Sequence, residues 1–218
     1  QFDNLHLVIQ SKMFKNKLKQ NNIDTQVNGK MHIIPNGINS NFFSEKKDFS
    51  CLSNFGIDIK AKKTFLFVSE YLSYAKGFDL FLTLAKDNPD LQFIAVGKLP
   101  RNIRKKDIGK NVILLGYMKN DVLHNLFKFS DIYLHLSRED NYPTTILEAL
   151  ASRCKVISVD VGCVPEMLSS GEGVVLDFES IREYVKNEKS YDFGKGSVFT
   201  YEETAKKYLI LYKKVIDN

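Results

Sequence analysis

Short, nearly unbroken apolar runs recur along this chain and alternate with stretches of helical spacing. That alternation limits the fold more than any other feature. "TFLFVS" (64–69), "LQFIAVG" (91–97), "NVILLG" (111–116), "DIYLHLS" (131–137) and "KVISVD" (155–160) all have strand length, and helical patterns fall over about 77–87, 119–129 and 144–152. A strand that is apolar on both sides of the pleat has both faces covered, which is the condition of a parallel sheet packed between helices. The expected fold class is therefore α/β, a doubly wound parallel sheet. Before it come "LHLVIQ" (5–10), a basic amphipathic stretch (11–21), "MHIIP" (31–35) with the turn signal "NGI", and a polar linker over roughly 39–62. After it come "GVVLDF" (173–178) and helical patterns over about 179–187 and 201–216.

The chain has 218 residues, 44% hydrophobic and 26% charged, which suits one large domain or a domain with an appendage. Cys51, Cys154 and Cys163 are an odd number without C-x-x-C spacing, and read as free thiols in a reducing compartment. No run of eighteen apolar residues offers a membrane span, and the first residues lack the order of a signal peptide. The expected location is cytoplasmic, with peripheral contact at the inner face of the plasma membrane left open. The net charge of +5 is modest, and the densest basic stretch, "RNIRKKDIGK" (101–110), reads first as a solvated loop.

Ligands of such sheets bind beyond the carboxyl ends of the strands, which selects the loops 69–77, 97–100, 116–119, 137–144 and 160–166. In "SREDNYPTTILEALA" (137–151), Pro143 falls where a first helical turn begins and its missing N–H costs nothing. The amides of Thr144, Thr145 and Ile146 then face out of a helix N-terminus, a favourable place for an anion. Glu148 lies one turn further on, where a carboxylate can accept two hydrogen bonds from a vicinal diol such as ribose. Asp140 could hold the hydroxyls of a second sugar beyond the phosphates. Equally, Glu148 could be a surface acid near the positive dipole end, and Asp140 a plain loop acid. In "SEYLSYAKGFDLF" (69–81), Lys76 stands at the mouth of the sheet as a point charge suited to a diphosphate, or as a lysine with its stem on apolar surface. Gly77 would permit close approach. In "DVGCVPEML" (160–168), Glu166 is either a site acid or a first-turn acid. Gly97 and Gly116 could let a flat base lie against the backbone, or simply turn the chain.

Other chemistries find little support. No G-x-G-x-x-G follows a strand, and no G-x-x-x-x-G-K-[ST] or G-x-S-x-G is present. His6, His32, His124 and His135 lack metal-ligand spacing, and His32 and His135 read as packed, hydrogen-bonded strand residues. The 16 Phe and 10 Tyr fall at core periodicities and do not interleave with basic residues, so no nucleic-acid partner is expected.

Five segments occur in an order that carries a resemblance: "HIIPNGIN…F" (32–42), "FLFVSEYLSYAKGFDLF" (65–81), "NVILLGYM" (111–118), "SREDNYPTTILEALASRCKVISVDVGCVPEM" (137–167) and "YEETAKKYLILY" (201–212). From about residue 30 the chain resembles the C-terminal half of retaining GT-B glycosyltransferases, the group 1 family with the E-x7-E motif. The resemblance implies a Rossmann-like domain over 31–200 that binds a nucleoside diphosphate sugar. It also implies a remnant of an N-terminal domain with its linker over 1–30, and a C-terminal crossover helix over 201–218. Lys76 would contact the diphosphate, Glu148 the ribose, and Asp140 the donor sugar. The amides of Tyr142, Thr144 and Thr145 would line sugar and phosphates, while Gly97 and the segment 116–118, Tyr117 included, would border the base.

The pattern departs from the family in three places: Asp140 stands where Glu is usual, with Glu139 beside it; the Arg that often precedes Lys-Gly is absent; and Cys163 replaces a second glycine. The implied reaction transfers a sugar, with retention, from a nucleoside diphosphate donor to an acceptor hydroxyl in cell-surface polysaccharide or lipopolysaccharide synthesis. A UDP-sugar is favoured over a GDP-sugar, and no cofactor or metal is expected. The implied partners are the donor, a glycan or lipid-linked acceptor, and the missing N-terminal domain, without which this chain alone is expected to be inactive. A non-catalytic sugar-nucleotide-binding domain and a sugar-nucleotide epimerase of related fold stay open as alternatives, as does a structural or oligomerising α/β domain.

Overall fold

A computed structural model of the protein describes residues 5–23, 30–43, 49, 52–101, 103–169, 173–187, 191, 193 and 198–217; Cys51 lies outside them. The chain opens with β1 (Leu7–Ile9), α1 (Lys12–Gln20) and β2 (Met31–Ile33), followed by two 3-10 turns. Next come β3 (Thr64–Tyr71), α2 (Phe78–Asp87), β4 (Gln92–Lys98), β5 (Val112–Gly116), α3 (Asn120–Phe129), β6 (Ile132–His135), α4 (Thr144–Ala151) and β7 (Lys155–Ser158). The short α5 (Val164–Met167), β8 (Gly173–Val175), α6 (Phe178–Asn187) and α7 (Tyr201–Ile216) complete it.

Six strands form one parallel sheet in the order β5-β4-β3-β6-β7-β8. The α/β class and doubly wound parallel sheet expected from the apolar runs are present. Period-two alternation divides the core into two layers. Leu66, Ile94, Tyr133 and Val156 face Leu126 and Phe127 of α3 and Ile146 and Ala149 of α4. Phe65, Phe67, Phe93, Ile132, Leu134 and Ile157 face Phe78, Phe81 and Leu84 of α2 and Ile181 of α6. In the second layer Phe65 stacks on Phe93 with centroids 5.1 Å apart, and Phe81 meets Phe67 at 5.1 Å and Phe93 at 5.4 Å. These four rings show why aromatics fall at core periodicities, and burying each contributes about 1.5–3 kcal/mol.

β1 and β2 pair in parallel in a separate two-stranded sheet, with Ile9 and Met31 buried against Phe14 and Leu18 of α1. Met31–Ile33 thus pairs with the N-terminal strand and not with the six-stranded sheet. α1 is capped twice. Ser11 Oγ accepts from Phe14 N at 3.0 Å, and the Glu166 carboxylate accepts from Lys12 N at 3.0 Å and Met13 N at 2.9 Å. α7 begins with a capping box in which Thr200 and Glu203 satisfy each other's amides. Its first turn is tied back to the linker after β2: Ile38 N donates to Phe199 O, Tyr201 N to Ile38 O, and Thr204 Oγ1 to Pro35 O. Leu211 is buried, whereas Tyr201, Leu209, Tyr212 and Ile216 are exposed.

Several boundaries moved, two of them for local reasons that the structure shows. "GVVLDF" ends as a strand at Val175 because Asp177 accepts from Ser180 N at 2.8 Å and caps α6, drawing Phe178 into the helix. The helix expected from residue 77 starts at Phe78, since Gly77 has φ of 78°.

Candidate active site

β3 and β6 are neighbours whose chains run away from each other through the sheet, so the topological switch point lies between them. They pair only at Phe65–Ile132 and Leu66–Tyr133. Beyond that β3 keeps pairing with β4 up to Lys98, and β6 with β7 up to Ser158. The two strands therefore part, and Phe67, Val68, Leu134 and His135 line the crevice that opens between them. The resulting cavity of about 430 Å³ is also lined by Ser69, Lys76, Asp140, Tyr142, Thr144 and Thr145, and is of a size that holds small ligands.

Two loops meet across its mouth. The loop after β3 turns through Gly77 N to Tyr74 O at 2.9 Å. A Cβ on Gly77 would stand 2.0 Å from Leu136 O, so only glycine lets this turn press on the end of β6. The Arg138 guanidinium holds the turn from the other side. It bonds both Asp79 carboxylate oxygens at 2.8 Å, lies 3.8 Å over the Tyr74 ring and donates to Tyr74 O, while Arg138 N donates to Ala75 O at 2.8 Å. So fixed, Lys76 Nζ reaches Asp140 Oδ2 at 2.8 Å and Glu139 O at 3.2 Å. Lys76 is the one lysine or arginine among the described residues lining the cavity.

The Asp140 loop is clamped from its far side by the strand β7 exit. Cys163 Sγ donates to Asn141 O at 2.8 Å, and Gly162, with φ of 53°, packs so closely that a Cβ would lie 1.9 Å from Asp140 O. Gly162→Ala is therefore expected to destabilise the fold by at least ~2 kcal/mol, combining left-handed strain with a backbone clash. Urea unfolding measures this, and a loss below ~0.5 kcal/mol would contradict the close packing described.

α4 starts as expected at Thr144, with Pro143 at its N-cap. Thr144 and Thr145 have no intrahelical acceptor for their amides at this position, but Ile146 N, expected to be open, donates to Pro143 O at 3.2 Å. Glu148 lies one turn on, outside the lining of the cavity. Its Oε2 is buried without a hydrogen-bond partner in the protein, and burial pushes its carboxyl up to about 7. Under the sheet end, Tyr133 Oη donates to Thr145 Oγ1 at 2.7 Å and meets His135 Nδ1 at 3.2 Å.

Lys76, Asp140, Tyr142, Thr144 and Thr145 are thus brought to one cavity, with Glu148 behind it. Gly97 and Tyr117 do not line it. A Cβ on Gly97 would lie 2.1 Å from Ser69 O, so this glycine is explained by the approach of β4 to β3 and requires no base against it. Tyr117 is exposed just past β5. Glu166 sits in α5 with its carboxylate occupied by the α1 amides. The sequence reading missed the Arg138–Asp79–Tyr74 strut and the place of His135 in the crevice. The one signal for the strut was an arginine next to the acidic loop, with no mark of its partner.

The α/β fold with its six-stranded parallel sheet matches solved GT-B glycosyltransferase structures. An Anabaena protein (Alr3699/HepE), solved in complex with UDP, superposes with a TM-score of 0.74 at 15% identity, over 96% of this chain and 64% of that one. The chain belongs to the glycosyl transferases group 1 family, whose model matches residues 53–190. The phosphatidylinositol N-acetylglucosaminyltransferase gpi3 subunit of Schizosaccharomyces pombe is 32% identical over 123 residues, 51% of this chain and 27% of that protein. A 42.6 kDa protein in the cps region of Klebsiella pneumoniae is 26% identical over 211 residues, 90% of this chain and 55% of that one. The chain therefore spans about half or less of these relatives. No helix among the described residues is long and apolar enough to cross a membrane.

Proposed function

We propose that this chain is the donor-binding half of a glycosyltransferase that moves a sugar from a nucleoside diphosphate, UDP in preference to GDP, to an acceptor hydroxyl with retention of anomeric configuration. The observation that carries the reading is the crevice where β3 and β6 part, with Lys76 at 2.8 Å from Asp140 in front of the first turn of α4. The UDP complex of the Anabaena protein supports the choice of nucleotide, and the cps-region relative supports cell-surface polysaccharide synthesis. A glycan or lipid-linked acceptor, held largely by a further domain, completes the enzyme, which works in the cytoplasm against the inner face of the membrane.

In this reading the Lys76 ammonium and the amides of Thr144 and Thr145 receive the diphosphate, and their fixed dipoles stabilise the charge that grows on it as the sugar leaves. The bond from the anomeric carbon to phosphate oxygen breaks, and the bond to the acceptor oxygen forms on the same face. The acceptor's proton passes to the departing phosphate. Asp140, neutralised by Lys76, orients the sugar, and the open Oε2 of Glu148 takes the ribose hydroxyls.

Thermal unfolding tests the binding step directly. UDP at 100 times its dissociation constant is expected to add about 2.7 kcal/mol, a rise of about 5–10 °C for a chain of this size, with GDP giving less at the same concentration. No shift with millimolar UDP, GDP or their sugars would refute the reading.

A further inference from the structure

We propose that His135 is a donor-recognition residue whose Nε2 accepts a hydrogen bond from a hydroxyl of the sugar attached to the nucleotide. The proposal rests on the donor-site reading above and adds to it a determinant of which sugar is taken.

His135 is the last residue of β6, on the wall of the crevice, and only 5% exposed. Buried ring nitrogens are ordinarily both satisfied, but here one is and one is not. Nδ1 lies 3.2 Å from Tyr133 Oη, while Nε2 is buried with no hydrogen-bond partner in the protein. The single phenolic proton of Tyr133 is directed to Thr145 Oγ1 at 2.7 Å. With the phenolic oxygen left to accept, we assign the imidazole proton to Nδ1 and a lone pair to Nε2. Burial holds the ring neutral, with its pKa pushed down to about 4. A neutral ring with a bare Nε2 has nothing to offer a phosphate oxygen and matches a hydroxyl donor.

His135 lines the same cavity as Lys76 and Asp140, the residues assigned to diphosphate and sugar, whereas Glu148 does not. A site built to bond a hydroxyl rejects the analogue that lacks it, because the buried acceptor is then left unpaired. His135 therefore supplies selectivity that Asp140, already engaged by Lys76, supplies only in part.

The test measures dissociation constants of UDP and of UDP-glucose, UDP-galactose and UDP-N-acetylglucosamine for the unmodified chain, His135→Leu and His135→Gln. The ratio of UDP-sugar to UDP affinity for the best sugar is expected to fall about 10-fold in His135→Leu. It should recover in His135→Gln, whose side-chain carbonyl can accept, while UDP itself changes less than twofold. An unchanged ratio, or equal losses for UDP and the sugars, would overturn the proposal. Binding of no nucleotide by the unmodified chain would remove the donor-site reading and this inference with it. Imidazole nitrogen NMR on the unmodified chain decides the matter without any variant. Nε2 is expected to be unprotonated when free, and its resonance to move on adding the UDP-sugar but not UDP. A protonated Nε2 in the free chain would contradict the assignment.

Discussion

Lys76→Ala is expected to weaken UDP binding about 10- to 100-fold, and to lower the rate of transfer, in a chain of the relatives' full length, by about 10²–10³. The first figure corresponds to a charge-assisted hydrogen bond of about 1.5–3 kcal/mol, the second to the loss of one preorganised donor facing developing charge. Two effects act together. The variant removes the one lysine or arginine among the described residues of the cavity, and it leaves the Asp140 carboxylate, 19% exposed, facing the diphosphate unpaired. Adding Asp140→Asn should therefore recover part of the affinity lost in Lys76→Ala, and a calorimetric double-mutant cycle reads that coupling. Lys76→Arg should rescue poorly, because a planar fork does not replace a point charge in a turn set by Gly77 against Leu136. UDP affinity unchanged within twofold in Lys76→Ala would remove Lys76 from the site.

Glu148→Gln is expected to make the folded chain more stable at pH 8 and a poorer binder. Burial raises this carboxyl from 4.5 to about 7. Between those values the folded chain keeps a proton that the unfolded chain has released, so stability falls as pH rises through the window. Below about pH 4.5 the penalty is absent, and above about pH 7 it is full, about 3 kcal/mol by linkage. The neutral amide carries no such penalty. Urea unfolding should show Glu148→Gln more stable by about 2–3 kcal/mol at pH 8 and equal to the parent at pH 4. The same substitution exchanges an acceptor pair for one acceptor and one donor, so UDP affinity should drop about 10-fold if the open Oε2 receives a ribose hydroxyl. A gain of equal size at both pH values would show that the charge of Glu148 is not the cause.

The sheet was legible from the chain because its signal is local. "TFLFVS" and "LQFIAVG" are apolar on both sides of the pleat, and burial on both faces follows from that alone. The loop candidates were legible for a related reason, since strand ends can be counted along the chain. What joins those loops is not local. Arg138 and Asp79 are 59 residues apart, and Lys76 and Asp140 are 64 apart. No spacing rule links such pairs before strand order is known. Glu166 shows the same limit, as its partners, the amides of Lys12 and Met13, lie more than 150 residues away and carry no side-chain signature. Gly97 shows another limit: a glycine at a strand end looks the same whether it admits a ligand or a neighbouring strand, and a Cβ here would meet Ser69 O. His135 reads from the sequence as a packed, hydrogen-bonded strand residue; Nδ1 has a partner in Tyr133 Oη, whereas Nε2 has none in the protein.

The parting of β3 from β6 after only two register pairs separates where this protein binds from what it binds. The opening is a property of chain routing: two strands of one sheet whose connections lead to opposite edges. Lys76, Asp140 and His135 can thus be exchanged for residues suited to another sugar or another leaving group while the sheet beneath them stays as it is. Gly77 and Gly162 cannot, because they hold the rim of the opening in register. Variation among related chains should accordingly concentrate on the walls of the crevice and spare the two glycines that frame it.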